Sequence, residues 1–358
     1  MNLYDLGHVP WLESQLIYHA LPRLGLEGLV LVAPAEPFVC IGYHQDAAQE
    51  VDLAYCRDHN LPVFRREVGG GAVYLDGNQM FYQLVIHRDN PLHTADKPEF
   101  YERFLAPVVQ AYRDLGVETR YRPVNDVITE EDKKISGTGA GDIGDCAILV
   151  GNLIADFDYG AMVQVLRVPD VKFRDKVFAS LRENLTTIRR ETGRMPPWNE
   201  MADALVRNYE SALGPLTPAP LPGAVRQKVD DLVPTHTTDQ WLLRVGIRPG
   251  PGQKDDASRS VKIASGVHVI QRIHKAPGGL IRATVEIREE RLGAVALSGD
   301  FFFYPADKLA SLERRLEGMP LVDVQRAIEE LFGAHSIQAP GVTPSDLALA
   351  MGVPTSQP

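Results

Sequence analysis

The residues best suited to chemistry lie in Arg65-Arg66-Glu67-Val68-Gly69-Gly70-Gly71-Ala72-Val73-Tyr74-Leu75-Asp76-Gly77-Asn78. Three consecutive glycines strip every β-carbon from one side of the backbone, so amide N–H groups can approach an anion closely while the neighbouring arginines supply positive charge. A phosphate-bearing ligand fits such a turn. Taken alone, the same run also reads as a plain tight turn between strands, an alternative that the arginines narrow. No Gly-Lys-Ser/Thr follows, so this is not a P-loop. A second cluster, Gly139-Ala140-Gly141-Asp142-Ile143-Gly144, has the letters of a dinucleotide fingerprint. That fingerprint must follow an apolar strand and open a helix, whereas here Asp132-Lys133-Lys134 precedes and the strand-like Cys146 to Leu153 follows. Gly137 to Gly144 is therefore predicted to be a mobile loop. Lys134 itself sits in an acidic run with Glu130, Glu131 and Asp132, and without further context reads as a solvated lysine.

The elements that must position these residues mix strands and helices. Leu29 to Val32 and Phe38 to Ile41 are short apolar runs bounded by Gly and Pro, which suits buried strands. Ala72 to Tyr74 and Met80 to Ile86 read as a hairpin turned by Asp76-Gly77, placing the three glycines at a strand's entrance. Tyr101, Phe104, Leu105, Val108, Tyr112 and Leu115 recur at helical spacing, with Gly116 as the stop and Pro107 as a kink. Further on, Leu280 to Ile287 and Leu292 to Ser298 predict a second hairpin about Glu289 to Arg291. Leu309, Leu312 and Leu316 then mark a helix ended near Gly318, and Val324, Ile328, Leu331 and Phe332 another ended by Gly333. Of two Pro/Gly-rich stretches, Gly214 to Gly223 and Arg248 to Ser260, the second is also charged and divides separately patterned segments, so it is the better boundary.

Composition excludes several classes. The 358 residues can bury a large core, and 44% hydrophobic with 23% charged residues is an ordinary globular balance. No apolar run approaches bilayer length, and the opening residues lack the basic and apolar regions of an export signal, so no membrane and a cytoplasmic location are expected. Cys40, Cys56 and Cys146 form no Cys-x-x-Cys pair, arguing against a disulfide framework or structural zinc. The net charge of -10 repels a phosphate backbone, so no nucleic-acid partner is expected.

The glycine turn, the Asn125-Asp126 pair and Lys133-Lys134-Ile135-Ser136-Gly137 together resemble the lipoate–protein ligase A family of the biotin/lipoyl ligase superfamily. Ser180-Leu181-Arg182-Glu183-Asn184-Leu185-Thr186-Thr187 is similar to that family's Ser-x-Arg-x-x-Val-Thr signature. Gly278 to Arg282 and Ser298 to Phe303 resemble its accessory domain. The resemblance implies an α+β catalytic domain, a mixed sheet flanked by helices, over residues 1–247. A linker over 248–260 and a small α+β accessory domain over 261–358 would follow. It implies an ATP-dependent ligase that activates lipoate as lipoyl-AMP and transfers it to a lysine of a carrier. That carrier would be a lipoyl domain of a 2-oxoacid dehydrogenase E2 subunit, the glycine-cleavage H-protein or another lipoyl protein. ATP would be held by Arg66, by the backbone of Gly69, Gly70, Gly71, Ala72, Val73 and Tyr74, and by Asn78 and Asp126. Lys134 would contact both the α-phosphate and the acyl carboxylate as the catalytic residue. Val68 and Gly151 would lie on the lipoate side, with Val73 and Val150 as further lining. Magnesium would be carried by the phosphates and water, with no metal ligands from the protein. Val168 to Asn184 would cover the site.

The chain departs from the family pattern at Val68, where a serine is usual, at Leu75, where a histidine is usual, and at Val150-Gly151, where His-Gly is common. The turn to Asn78 is also one residue shorter. Related transferases that move octanoyl groups through a cysteine thioester carry that cysteine where this chain has Pro123-Val124-Asn125-Asp126 or Val168-Pro169-Asp170. Neither stretch contains one, and Cys146 between them reads as a buried thiol. A biotin ligase would show a Gly-Arg-Gly-Arg loop, which is absent. A non-catalytic binder of lipoylated domains would have no need of both Arg66 and Lys134.

Overall fold

The computed structural model describes residues 1–168, 171–245, 259–264 and 267–353. The stretch expected to be a linker, 248–260, therefore lies outside the described residues except for its last two. Contacts divide the chain into two units. One is Met1–Cys40, Ala48–Glu67 and Ala72–Trp241; the other is Ile41–Ala47, Val68–Gly71 and Leu242–Pro358.

The strands of the larger unit run β1 (Asn2–Val9), β2 (Gly28–Pro34), β3 (Phe38–Ile41), β4 (Val63–Arg65), β5 (Val73–Leu75), β6 (Gln79–His87), β7 (Thr119–Arg122), β8 (Asp126–Thr129), β9 (Lys134–Ser136), β10 (Thr138–Ile143), β11 (Cys146–Ile154) and β12 (Thr217–Pro218). Six form a mixed sheet in the order β10-β11-β6-β2-β1-β12, parallel between β1 and its neighbours and antiparallel elsewhere. Two three-stranded sheets, β4-β3-β5 and β7-β8-β9, complete the unit. β2 is buried throughout and β6 at all but its last residue, because helices cover both faces. On β6, Met80, Tyr82, Leu84 and Ile86 join the cluster with Phe100, Phe104 and Val108 of the helix Lys97–Asp114. Gln83, of opposite parity, donates to the Ser14 carbonyl on the helix Trp11–Arg23.

The helix Lys97–Asp114 starts where the Asp96 side chain accepts the Glu99 N–H and runs on through Pro107. It ends before Gly116, whose φ of +90° is the left-handed conformation expected of its stop. Two expectations fail. β5 and β6 are not a hairpin, since β5 pairs with β3 while β6 lies between β2 and β11. A nine-residue buried strand needs a partner on each edge, which three-residue β5 could not supply. Nor is Gly137 to Gly144 a mobile loop, because β10 pairs with β11 from Thr138 to Ile143. Its small residues let the strand pack closely, with Gly139, Ala140 and Gly141 buried. The Tyr101 hydroxyl receives the Ala140 N–H, and buried Lys97 pairs with Asp142 at 2.5 Å.

The second unit contains an antiparallel sheet of β13 (Arg259–Ala264), β14 (Val267–Ala276), β15 (Gly279–Arg288) and β16 (Arg291–Gly299). The β15–β16 hairpin turns through Glu289 and Glu290, both at positive φ, as two-residue hairpins require. Leu309, Leu312 and Leu316 are the buried stripe of the helix Lys308–Leu316. The helix Val324–Ala334 passes Gly333, its expected stop, by one residue. No helix among the described residues is long and apolar enough to cross a membrane.

Candidate active site

Lys134 opens β9 with its side chain 37% exposed and Nζ 2.7 Å from Asp126 Oδ1. Asp126 opens β8, and Arg122, registered opposite it on β7, donates to Oδ2 at 2.8 Å. Lys134 is thus an ammonium fixed by a carboxylate, not the solvated lysine that its acidic neighbours suggest. Burial alone would raise the Asp126 carboxyl, but Lys134 and Arg122 hold it below its ordinary range. Asp126 takes one of the three ammonium donors and sets the direction of the rest.

Two of the other motifs lie on or beside this strand. The Lys134 carbonyl accepts the Thr186 N–H at 2.8 Å, and Leu185 forms a parallel bridge with Lys134, which brings the Ser180 to Thr187 stretch against it. Asn125 Nδ2 donates to the Thr138 carbonyl at 2.6 Å, and Thr138 Oγ1 donates to the Asn125 carbonyl. The segment expected to cover the site contains the helix Val171–Asn184, while Pro169 and Asp170 lie outside the described residues. Gly151 lies on β11 over Tyr82, whose hydroxyl meets Ser136 Oγ at 3.2 Å. A β-carbon on Gly151 would sit 2.2 Å from the Tyr82 oxygen. Gly151→Ala should therefore push a buried ring out of its slot and cost about 1–3 kcal/mol by overpacking. Denaturant unfolding of the variant checks this; an unchanged midpoint contradicts it. Val150 is half-buried beside it, as is Val73 on β5.

Arg65 and Arg66 diverge. Arg65 is fully buried, donating to the Trp241 carbonyl at 3.2 Å and receiving the Trp241 indole N–H on its own carbonyl at 2.9 Å. Arg66 is half-buried, with Nη1 3.4 Å from the Cys40 carbonyl and 3.6 Å from Cys40 Sγ on β3. Val73 and Tyr74 on β5 are registered against Cys40 and Val39. Asn78 caps the following turn, its N–H on Asp76 Oδ1 and its carbonyl accepting the Ala155 N–H.

Val68 and Gly69 to Gly71 belong to the second unit. Val68 is buried, and its carbonyl receives the Tyr43 N–H. Gly70 has φ +92°, and a β-carbon on Gly69 would lie 2.9 Å from both the Phe301 carbonyl and the Phe302 ring. A β-carbon on Gly71 would meet only Asp300 Cβ, at 3.7 Å. Tight packing thus explains Gly69 and backbone conformation explains Gly70, while Gly71 has room for a side chain.

Glu67, which the sequence marks only by its place in the motif, is the centre of a partly buried polar cluster. Arg23 Nη2 reaches both its oxygens at 2.8 Å, and His236 Nε2 lies 2.7 Å from Oε1. His19 Nε2 accepts the Glu67 N–H at 3.1 Å, while its Nδ1 sits on the Gln15 carbonyl. Burial would raise the Glu67 carboxyl, but the hydrogen bond from His236 and the neighbouring Arg23 bring it down to about 2. Burial also lowers His19 to about 4. The ligand atoms of His19, Glu67 and His236 lie within 4.8 Å of one another, a spacing that a metal could bridge. Each is already satisfied by protein, however, and Arg23 already balances the Glu67 charge. Polar residues far apart in sequence give no periodic signal, so nothing in the sequence singles out His19, His236 or Arg122.

Residues 12–210 match the family model described as the lipoyl protein ligase A/B catalytic domain. The chain is 30% identical over 184 residues to lipoate-protein ligase A subunit 1 of Thermoplasma acidophilum, covering 49% of this chain and 68% of that protein. It is 25% identical over 230 residues to octanoyltransferase LipM of Kyrpidia tusciae, covering 57% and 84%. Among solved structures it resembles a bipartite lipoate protein ligase, studied with its E2 lipoyl domain, from T. acidophilum. That likeness has a TM-score of 0.60 at 24% identity, over 70% of this chain and 98% of that one. It also resembles a lipoate-protein ligase A bound with ATP, at TM-score 0.57 and 23% identity over 68% and 98%. At these identities the structural likenesses concern the fold.

Proposed function

Because the chain belongs to the lipoyl protein ligase A/B catalytic-domain family, we propose that it is an ATP-dependent lipoate–protein ligase. A lipoate carboxylate oxygen attacks the α-phosphorus of ATP, forming lipoyl-AMP as pyrophosphate leaves. The ε-amine of a carrier lysine then attacks the anhydride carbonyl, forming an amide and releasing AMP. Carboxylate and phosphate repel one another as they meet, so the first step needs fixed positive charge at the point of approach. Lys134, aimed by Asp126, supplies it; Arg66 and the backbone from Gly69 to Tyr74 take the phosphates, with Asn78 at the turn beyond. Magnesium travels with the triphosphate, held by phosphate oxygens and water. Val68, Val73, Val150 and Gly151 are assigned to the acyl chain, where each methylene buried contributes about 0.8 kcal/mol. The carrier is a lipoyl domain, as studied with the archaeal neighbour, of an E2 subunit, an H-protein or a related carrier. The reaction is assigned to the cytoplasm. The division into a catalytic domain over 1–247 and an accessory domain over 261–358 goes with this reading.

The observation that carries ligase over transferase is the state of the thiols. An acyl-thioester route needs an activated thiolate. All three cysteines are buried, and burial raises each thiol above its ordinary value, Cys56 and Cys146 to about 11. Cys146 Sγ faces the Pro22 carbonyl at 3.8 Å, with no cationic partner among its perturbing groups. Cys146→Ala should keep ATP-dependent lipoylation of a carrier domain within about twofold of wild type. The assay is mass spectrometry of the carrier incubated with enzyme, ATP and lipoate or octanoate. Complete loss with the fold intact, or acyl transfer from a second carrier without ATP, would establish the transferase instead. A binder that had lost the chemistry would take up no non-hydrolysable ATP analogue in a calorimetric titration.

A further inference from the structure

Two buried amides, Gln79 and Asn152, connect the strand that follows the glycine turn to the strand that carries Lys134. The Gly137 N–H donates to Asn152 Oδ1 at 2.8 Å, Asn152 Nδ2 donates to Gln79 Oε1 at 2.8 Å, and Gln79 Nε2 donates to the Tyr74 carbonyl at 3.2 Å. Gln79 is 1% exposed and Asn152 6%, so neither is placed to touch a substrate directly. The run has one polarity. Its first member is a backbone N–H, which only donates, and its last a carbonyl, which only accepts, so the orientation of both amides follows from its ends. The Asn152 backbone carbonyl also receives Ser136 Oγ at 2.7 Å, tying it to the last residue of the lysine strand, which Gly137 directly follows. The Gln79 amide also hydrogen-bonds Asp76, which holds it at the β5–β6 turn.

Neither sheet pairing supplies this connection. β5 pairs with β3, and β9 pairs with β8, so no backbone ladder joins β5 to β9. β6 and β11 are themselves antiparallel neighbours, with Gln79 opposite Ile154 and Asn152 opposite Phe81. The two amides reach outward from that pair, Gln79 to β5 and Asn152 to Gly137 at the end of β9. We infer that Gln79 and Asn152 are positioning residues that set the spacing between the Tyr74 backbone and Lys134, and so the meeting of the phosphate and carboxylate groups in adenylation. This rests on the proposed ligase reaction. A dry, fully hydrogen-bonded run is stiff, since any shift strands a buried polar atom.

Isosteric changes break the polarity without changing volume. In Asn152→Asp the side chain still accepts from Gly137 but faces Gln79 with an oxygen, so the Gln79 amide must turn and leave the Tyr74 carbonyl unpaired. In Gln79→Glu the Asn152 donor is kept and the Tyr74 contact is lost directly. Asn152→Ser, shorter and neutral, serves if a buried carboxylate prevents folding. The test has two arms on the full chain. Hydrogen-exchange mass spectrometry, needing no substrate, should show the changes at Asn152 speeding exchange in residues 72–78 by about tenfold, and Gln79→Glu doing the same there while its retained bond to Asn152 leaves residues 134–138 near wild type. Exchange altered only on the substituted strand would overturn the inference, whatever the enzyme does. Pyrophosphate release should then show kcat for adenylation falling about 10- to 100-fold with KM for ATP within about threefold. Equal loss in kcat and thermal midpoint, or an undiminished kcat in a folded variant, would also overturn it. Should wild type release no pyrophosphate with lipoate or octanoate, the ligase reading fails, while the exchange arm still decides whether the two strands are coupled.

Discussion

Lys134→Ala is expected to lower pyrophosphate release from ATP and lipoate by about 10²- to 10³-fold, the usual cost of losing one preorganised group that stabilises transition-state charge. The thermal midpoint should hardly move, because Lys134 is 37% exposed and its partner Asp126 keeps Arg122 at 2.8 Å. Lys134→Arg should rescue little. A guanidinium is a planar fork whose bulk and bidentate geometry suit one anion well, whereas the ammonium must serve carboxylate and phosphate from a single point. Asp126→Asn should be milder than either. It retains an oxygen for Lys134 and removes the charge that fixes it, so a loss of about tenfold in kcat/KM is expected. The order Ala, Arg, Asn in severity distinguishes an electrostatic role from a packing role, in which Arg would be the mildest change. Unchanged pyrophosphate release in folded Lys134→Ala would remove the assignment altogether.

How far the sequence could lead depended on whether a residue's partner lay nearby in the chain. The β15–β16 hairpin, the buried strands β2 and β3 and the stripe Leu309, Leu312, Leu316 are local patterns, of period two, of unbroken apolar runs and of period 3.6 respectively, and all are present. Pairing is not local. Asp76-Gly77 is a good turn dipeptide wherever the two strands go afterwards, so it could not reveal that β5 and β6 enter different sheets. The glycines of Gly137 to Gly144 have weak strand propensity, and only the neighbouring β11 and the Tyr101 hydroxyl make β10 a strand. At the site, Lys134 and Asp126 were legible as members of a motif, but the ion pair between them was not. Arg65 and Arg66 are indistinguishable as letters; burial alone separates the one locked to Trp241 from the one beside Cys40.

Acidification should destabilise the protein in two stages, the first beginning just below neutrality. His19 is fully buried, and burial lowers it from 6.5 to about 4. The unfolded chain therefore binds a proton that the folded one refuses throughout this interval. The stability it contributes is complete above pH 6.5 and lost as pH falls toward 4, about 3 kcal/mol in all. Glu67 acts lower down. Against the burial that opposes it, the hydrogen bond from His236 and the charge of Arg23 depress it from 4.5 to about 2, so its contribution is present above 4.5 and disappears toward 2. The sign is the same for both groups, because in each case the unfolded state takes up the proton first. Chemical denaturation at a series of pH values from 8 to 3 measures the slope directly. His19→Gln should flatten the upper stage. Glu67→Ala, which leaves buried His236 without its carboxylate partner while Arg23 remains partly in solvent, should cost about 1–3 kcal/mol at neutral pH. A wild-type stability that stays level between pH 7 and 5 would contradict the assignment of His19 as a neutral ring held by the Glu67 N–H and the Gln15 carbonyl. Because Glu67 directly follows Arg66 and directly precedes Val68 and the glycine turn, the same loss should surface as weakened ATP binding before global unfolding begins. Calorimetric titration of an ATP analogue at pH 7 and pH 5 tests that order.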